Sequence, residues 1–254
     1  MEIIPLKSPI IVEPGDSIPH CFAEVLRRSQ HRLRNLDIVT VASKAVAVSE
    51  GRIRSLSEVR PSPRAFRLST RFALSPEVAQ VIIDEADHIY GGVRGALLTV
   101  KNGEATANAG VDQKNAPHGS VVLWPSDPNR SANRIRSSFV RLFHKKIGII
   151  IVDSRVTPLR LGTIGLALAC SGIEPVADLR GSRDLYGRKA RITLHAMADD
   201  VASAAHLVMG EGAEAVPFAI VRGAPMAFAK RGSIPRMLAR ECLYMSQISS
   251  KPRP

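Results

Sequence analysis

The stretch "SDPNRSANRIRSSFVRLFHKKIGIIIVDS", residues 126 to 154, decides the fold class. Its first part carries helix grammar: Ser126 or Asp127 to cap, Pro128 just inside the first turn, and Ile135, Phe139, Leu142 and Phe143 on one helical stripe. Its second part, "KIGIIIVDS" (146 to 154), switches to an unbroken apolar run that reads as a buried strand ending abruptly in Asp153. A helix that hands over directly to a buried strand indicates an α/β or mixed α+β fold.

The same alternation extends in both directions. Upstream, residues 2 to 12 read as extended, and Asp16 or Ser17 caps a helix through "IPHCFAEVLRRS". "LDIVTVA" (36 to 42) is a short apolar strand followed by a turn or helix start at Ser43. "SPEVAQVIIDEADHIYG" (75 to 91) predicts a helix that starts at a Ser cap and stops at Gly91. "GALLTV" (95 to 100) and "SVVLW" (120 to 124) read as strands around a polar loop. Downstream, "RITLHA" (191 to 196) predicts a strand, "ADDVASAAHLVMG" a helix, and "AVPFAIVRG" (215 to 223) a last strand. No repeat and no interdomain linker is visible, so one domain over 1–245 is expected, with 246–254 a disordered tail.

Aromatic residues make up only 4% of the 254, so the core has to be built from Ile, Val, Leu and Ala. The formal charge of +12 implies attraction to something anionic: a nucleic acid, a phosphorylated cofactor or a membrane surface. Basic residues are spread through the chain without a polybasic tail, which weakens the nucleic-acid and membrane readings. Three distant cysteines, Cys21, Cys170 and Cys242, suit reduced thiols in a cytoplasmic protein. No signal peptide is visible, and "LGTIGLALACSGI" (161 to 173) is too short to span a bilayer.

Several chemistries are excluded. There is no GxxxxGK[ST], no GxGxxG after a strand, no GxSxG elbow, and no Cys/His spacing for zinc. What remains are carboxylates at strand ends or in Gly-bearing loops: Asp112 in "NAGVDQKN", Asp153 followed by Ser154, and Glu211 in "VMGEGAEA". Such residues hold hard cations through oxygen, or serve as solvated loop and capping residues. Arg180, Arg183, Arg188 and Lys189, around Gly181 and Gly187, offer anion contacts or form a charged hairpin edge. Arg130, Arg134 and Arg141 form a solvated helix face or a binding groove.

An ordered set of words carries a family resemblance: "DIVTVASKAVAVSEGR", "ANAGVDQKN", "LWPSDPNRSANRIR", "IIIVDS", "RDLYGR" and "ADDVASAAHLVMGEG". Together, over roughly residues 5 to 225, they resemble the coenzyme F420-0:L-glutamate ligase family. The resemblance implies a GTP-dependent ligase joining L-glutamate to the lactyl carboxylate of coenzyme F420-0, with further γ-linked glutamates possible. It also implies two divalent ions, Mg²⁺ or Mn²⁺, with K⁺ as a further ion, and an intertwined homodimer of family-specific mixed α/β fold. By motif, Asp112 and Asp153 would hold one ion, and Ser154 and Glu211 the second. The nucleotide would meet Pro9, Ile10, Ile11 and Val12, then Ser43, Lys44 and Asn115, then Met209, Gly210, Glu211, Gly212, Ala213, Glu214, Ala215 and Val216. No protein nucleophile, no membrane and no specific nucleic acid are implied.

Three departures from the family pattern stand out. Ser154 occupies a usual Thr position, and Val48 occupies that of a second Lys. "DSRVTPLR" (153 to 160) replaces the usual "DTFGRPWR", placing Arg155 where its charge offers a substitute for the lost Lys.

Overall fold

The computed structural model describes residues 1–9 and 12–249, without the side chain of Ser249. In chain order the elements are β1 (Glu2–Leu6), α1 (Ile18–Arg28), β2 (Ile38–Ala42), α2 (Ser43–Ser49), β3 (Ile53–Ser55), α3 (Pro63–Phe72), α4 (Pro76–Glu85) and β4 (His88–Val93). They continue with β5 (Ala96–Lys101), β6 (Glu104–Ala107), β7 (Ser120–Val122), α5 (Pro128–Phe143), β8 (Gly148–Val156), β9 (Thr163–Ser171), β10 (Ala177–Asp178) and β11 (Leu194–His195). Last come α6 (Met197–Met209), β12 (Phe218–Arg222) and α7 (Met245–Ser249). The mixed α/β expectation is met. By internal packing the chain divides into two compact units: Met1–Arg52 with Pro125–Ile234, and Ile53–Trp124 with Pro235–Pro254.

The first unit is built on a five-stranded sheet of order β1-β12-β2-β8-β9. β2 and β8 pair in parallel, with Ile38 opposite Gly148 and Ala42 opposite Val152, while the other neighbours are antiparallel. Over the stretch where they pair, 38–42 with 148–152, Thr40 is the one polar side chain, because both faces of the sheet are covered. On one face Phe22 of α1 stacks among Phe139 and Phe143 of α5 and Phe218 of β12, with ring centroids 4.7 to 5.7 Å apart. Four of the seven Phe residues thus meet in one place. The other face receives α6, whose Ala198, Val201, Ala202, Ala205 and Met209 pack on Ile150, Val152, Ala167 and Cys170. Small residues along α6 let it lie close to the strands. Burial pushes the Cys170 thiol up to about 12, helped by the nearby Glu174 and Asp199 carboxylates.

Asp37, just ahead of β2, is 1% exposed and takes a two-pronged ion pair from Arg222 at the end of β12, with both N–O distances 2.9 Å. It also accepts the Arg34 amide at 2.7 Å. β9 carries a bulge, since Ala169 faces Ile151 but Ala167 faces Val152. The Ala167 amide donates instead to Asp199 in the first turn of α6, at 2.9 Å.

In the second unit, Val78, Val81 and Ile82 of α4 and Phe72 of α3 pack with Leu97, Val111, Val121 and Leu123. Two small sheets, β4-β5-β6 and β3-β7, frame this core. Asn108 accepts the Leu97 amide at 2.8 Å, and Gly110 lies so close to the Trp124 ring that no side chain fits there.

Three sequence expectations need correction. The helix from Ser75 ends at Glu85 rather than Gly91, because Ala86 turns extended and His88–Val93 pair with β5 across a turn closed by Gly95. β8 does not end at Asp153: it continues to Val156, held by pairing with β9 down to Thr163. The strand expected over 191 to 196 is only Leu194–His195. Of the tail expected over 246–254, residues 246–249 belong to α7 and 250–254 lie outside the described residues.

Replacing Asp37 with Ala leaves the Arg222 guanidinium without its buried partner. The variant is expected to lose on the order of 3 kcal/mol of stability, read from urea unfolding as a lower midpoint with unchanged slope. An unmoved midpoint would show the pair to be inert.

Candidate functional site

Because β2 and β8 run in parallel, their C-terminal ends emerge side by side, which in open α/β sheets is where ligands are held. The antiparallel partners bring other chain segments to the same end. β12 begins there, since Phe218 faces Val41, β1 ends there, since Leu6 faces Phe218, and β9 begins beside Val156. The loop after α6 and the segment after β1 therefore meet, with the Ser8 amide donating to the Ala215 carbonyl at 2.7 Å.

Successive residues of a strand point to opposite faces, and β8 uses this at its end. On one face, Asp153 accepts the Ser43 hydroxyl on Oδ1 at 2.6 Å and the Arg155 Nε–H on Oδ2 at 2.9 Å. Ser43 and Arg155 are both buried. The expectation that Arg155 substitutes for a phosphate-binding Lys meets this pairing: its guanidinium is buried against Asp153.

On the other face, Ser154 Oγ lies 3.3 Å from His206 Nε2 at the end of α6. His206 Nε2 is 2.8 Å from Glu211 Oε1, which also accepts the Thr163 hydroxyl at 2.6 Å. The His206 ring reaches this position because Gly165 of β9 has no Cβ to hold α6 away. Gly210, with φ +77°, then turns the chain so that Glu211 comes back over the ring. Burial acts to raise the Glu211 carboxyl; the hydrogen bonds from Thr163 and Ser154 and the charge of His206 together outweigh it and hold it below the usual carboxylate range.

The remaining sequence-predicted positions divide clearly. Pro9 and Val12 flank Ile10 and Ile11, which lie outside the described residues. Lys44 is half-buried one residue into α2. Gly212, Ala213, Glu214 and Ala215 are exposed, Val216 half-buried, and Glu214 accepts the Gly212 amide at 2.7 Å. Met209, by contrast, is buried in the core, where its sulfur receives the Thr40 hydroxyl at 3.5 Å. Asp112 and Asn115 belong to the second unit. There Asp112 exchanges backbone bonds with Val122 and accepts the Lys114 amide at 2.7 Å, while Asn115 takes φ +58°. Of the arginines, Arg134 pairs with Glu50 at 2.7 Å beside a cavity of about 590 Å³ that is also lined by Asp16, Asp127 and Arg130. Arg180 pairs with Asp178, holding that carboxyl down at about 2, and Arg183 donates to Gly187, so this segment is an exposed, self-satisfied hairpin.

Among the described residues no three His, Cys, Asp or Glu side chains gather as a ready-made cation cage. The oxygen donors around the end of β8 are Asp153 with Ser43 on one face and Glu211 with Ser154 and Thr163 on the other. That set fits a small hard dication of the Mg²⁺ type, which takes one or two carboxylates and fills its shell with water and phosphate oxygens. Each Asp153 oxygen keeps a second lone pair beyond the bond it already accepts.

The family described as F420-0:Gamma-glutamyl ligase matches residues 5–223. The chain belongs to that family. A Methanopyrus kandleri protein named coenzyme F420:L-glutamate ligase is 41% identical over 224 residues, covering 88% of this chain and 86% of its own. Proteins of the same name from Archaeoglobus fulgidus and Methanocaldococcus jannaschii are 34% and 36% identical, each over about nine-tenths of both chains. As a member of the F420-0:gamma-glutamyl ligase family, the chain is a ligase. His206 and Thr163 were not singled out in the sequence. The only signal for His206 is its place five residues before Glu211, across a helix end; Thr163 gives none, because its proximity depends on the β8–β9 register.

Replacing Thr163 with Val removes one bond to the Glu211 carboxylate and is expected to move its pKa upward toward the ordinary range. Carbon-detected NMR titration of the side-chain carboxyl reads this shift directly. A carboxyl lowered by folding stabilises the protein at neutral pH and loses that contribution as pH falls through its folded pKa, so the variant's stability should depend less on pH in the acid range.

Proposed function

We propose that this ligase forms an amide between the amino group of L-glutamate and the lactyl carboxylate of coenzyme F420-0, driven by GTP and a divalent metal through an acyl phosphate. The observation that supports this best is the convergence of Ser43, Asp153, Ser154 and Glu211 at one end of the sheet, in a chain matching the family over 5–223.

A carboxylate does not condense with an amine at useful rates, because its oxygen is a poor leaving group. In the proposed sequence a carboxylate oxygen of the acceptor attacks the terminal phosphorus of the nucleotide and the nucleoside diphosphate departs. The glutamate nitrogen then attacks the acyl carbon, phosphate departs, and the ammonium proton goes to solvent. Phosphoryl transfer needs positioning and charge neutralisation more than a covalent protein partner, so no side-chain nucleophile is required. A divalent ion, when bound, supplies charge neutralisation at the transferring phosphoryl group.

The protein's part is to hold the reactants. Asp153 is fixed by Ser43 and Arg155, and Glu211 by Thr163 and His206, so neither carboxylate has to be ordered when a ligand arrives. Lys44 and the backbone of residues 210–216 are the parts of this unit that would line the nucleotide; the roles of Asp112 and Asn115 rest on the family pattern. The net charge of +12 favours three anionic reactants. Leu159, Leu161, Leu185 and Tyr186 are each at least 88% exposed, which supports a homodimer in which a second copy covers them.

A second reading, a related ligase using ATP or another carboxylate acceptor, is favoured by Val48 and by the burial of Arg155 against Asp153. A mass-spectrometric assay with coenzyme F420-0, L-glutamate, Mn²⁺ and either GTP or ATP separates the two. Product heavier by one or more glutamyl residues only with GTP and metal is the expected outcome; folded protein that yields none with either nucleotide would sink the proposal. Asp153→Asn should lower metal-dependent turnover by at least about 100-fold while keeping the native melting transition. Sedimentation should give twice the 27.5 kDa chain mass.

A further inference from the structure

His206 does more than hold Glu211: it sits between the two residues assigned to the second ion. Its Nε2 is 2.8 Å from Glu211 Oε1 and 3.3 Å from Ser154 Oγ, and Ser154 also hydrogen-bonds Glu211. Three donor atoms from the end of β8, the last turn of α6 and the loop beyond it thus form a closed triangle. Neighbouring ligands of a six-coordinate ion with bonds of about 2.1 Å stand about 3.0 Å apart. The observed separations bracket that spacing.

We propose that His206 is a direct nitrogen ligand of the divalent ion held by Ser154 and Glu211. This deepens the metal-dependent reading above and rests on it. The imidazole is only 13% exposed, and α6 and Gly165 fix its position, so it is ordered before any ion arrives. Coordination replaces the proton that Nε2 shares with the carboxylate, and that proton goes to solvent. Thr163, donating to the same Glu211 oxygen at 2.6 Å, orients the carboxylate from behind. The consequence is a choice of metal. An all-oxygen site suits Mg²⁺, whereas one imidazole shifts preference toward Mn²⁺ and later first-row ions. Asp153, on the opposite face of β8, accepts from Ser43 and Arg155 and has a hydroxyl rather than an imidazole beside it.

The test uses Mn²⁺ itself as the probe on the full-length protein, at saturation, with and without GTP. Pulsed electron paramagnetic resonance should show a directly bound nitrogen whose coupling changes when the protein carries ¹⁵N-histidine, which separates it from a nucleotide nitrogen. In His206→Gln the coupling should vanish, and Mn²⁺ affinity at that site should fall at least about 10-fold with less loss for Mg²⁺. Mn²⁺ bound without nitrogen coupling in the wild-type protein, or coupling that persists in the variant, would overturn the ligand assignment and leave the metal reading standing. Failure of the wild-type protein to bind Mn²⁺ at all would overturn both. The labelled wild-type measurement needs no substitution, so a variant that fails to fold does not decide the matter.

Discussion

The parallel pairing of β2 with β8 is the constraint on which the rest of the chemistry depends. It is the one place in the five-stranded sheet where two hydrogen-bonded neighbours end together, and its register sets Ala42 opposite Val152. One step further on, Ser43 and Asp153 are therefore neighbours without any loop having to bring them there. The apolar runs that make the pairing possible are the same residues that bury both faces, so core and site are specified by one stretch of chain.

The alternation of β8 divides the site. Asp153 belongs to the face covered by α2 and Ser154 to the face covered by α6, although they are adjacent in sequence. Each face then assembles its own set of hydroxyl and carboxylate from separate elements. A buried guanidinium on one side and an imidazole on the other give the two halves different electrostatics, even though both begin with a small oxygen donor.

Much of the scaffold was legible in the sequence because it is written in local patterns. Asp127, Pro128 and the stripe through Ile135 and Phe139 gave α5; the Ile run gave most of β8; "ADDVASAAHLVM" gave α6. What escaped depends on pairing between distant segments. The end of α4 was lost because "DHIYGG" continues the helical look while β5 claims it as a strand. The extension of β8 to Val156, the closeness of Thr163 to Glu211, and the burial of Arg155 all follow from the bulged β8–β9 register, which no local pattern announces. The candidate residues themselves came from ordered motifs and from carboxylates at strand ends and in loops, not from periodicity.

The single-residue offset between Asp153 and Ser154 also bears on how such a chain can diverge. Loops at the far ends of the helices can gain or lose residues while the two faces keep their partners. A one-residue insertion or deletion between Ile149 and Val152 cannot be absorbed in that way. It would turn Asp153 toward α6 and Ser154 toward α2, and place apolar side chains in the wrong layer at the same time. In evolutionary terms β8 is a ruler of fixed length: substitutions can accumulate along it, and changes in spacing are purged by folding before they are ever tested by function.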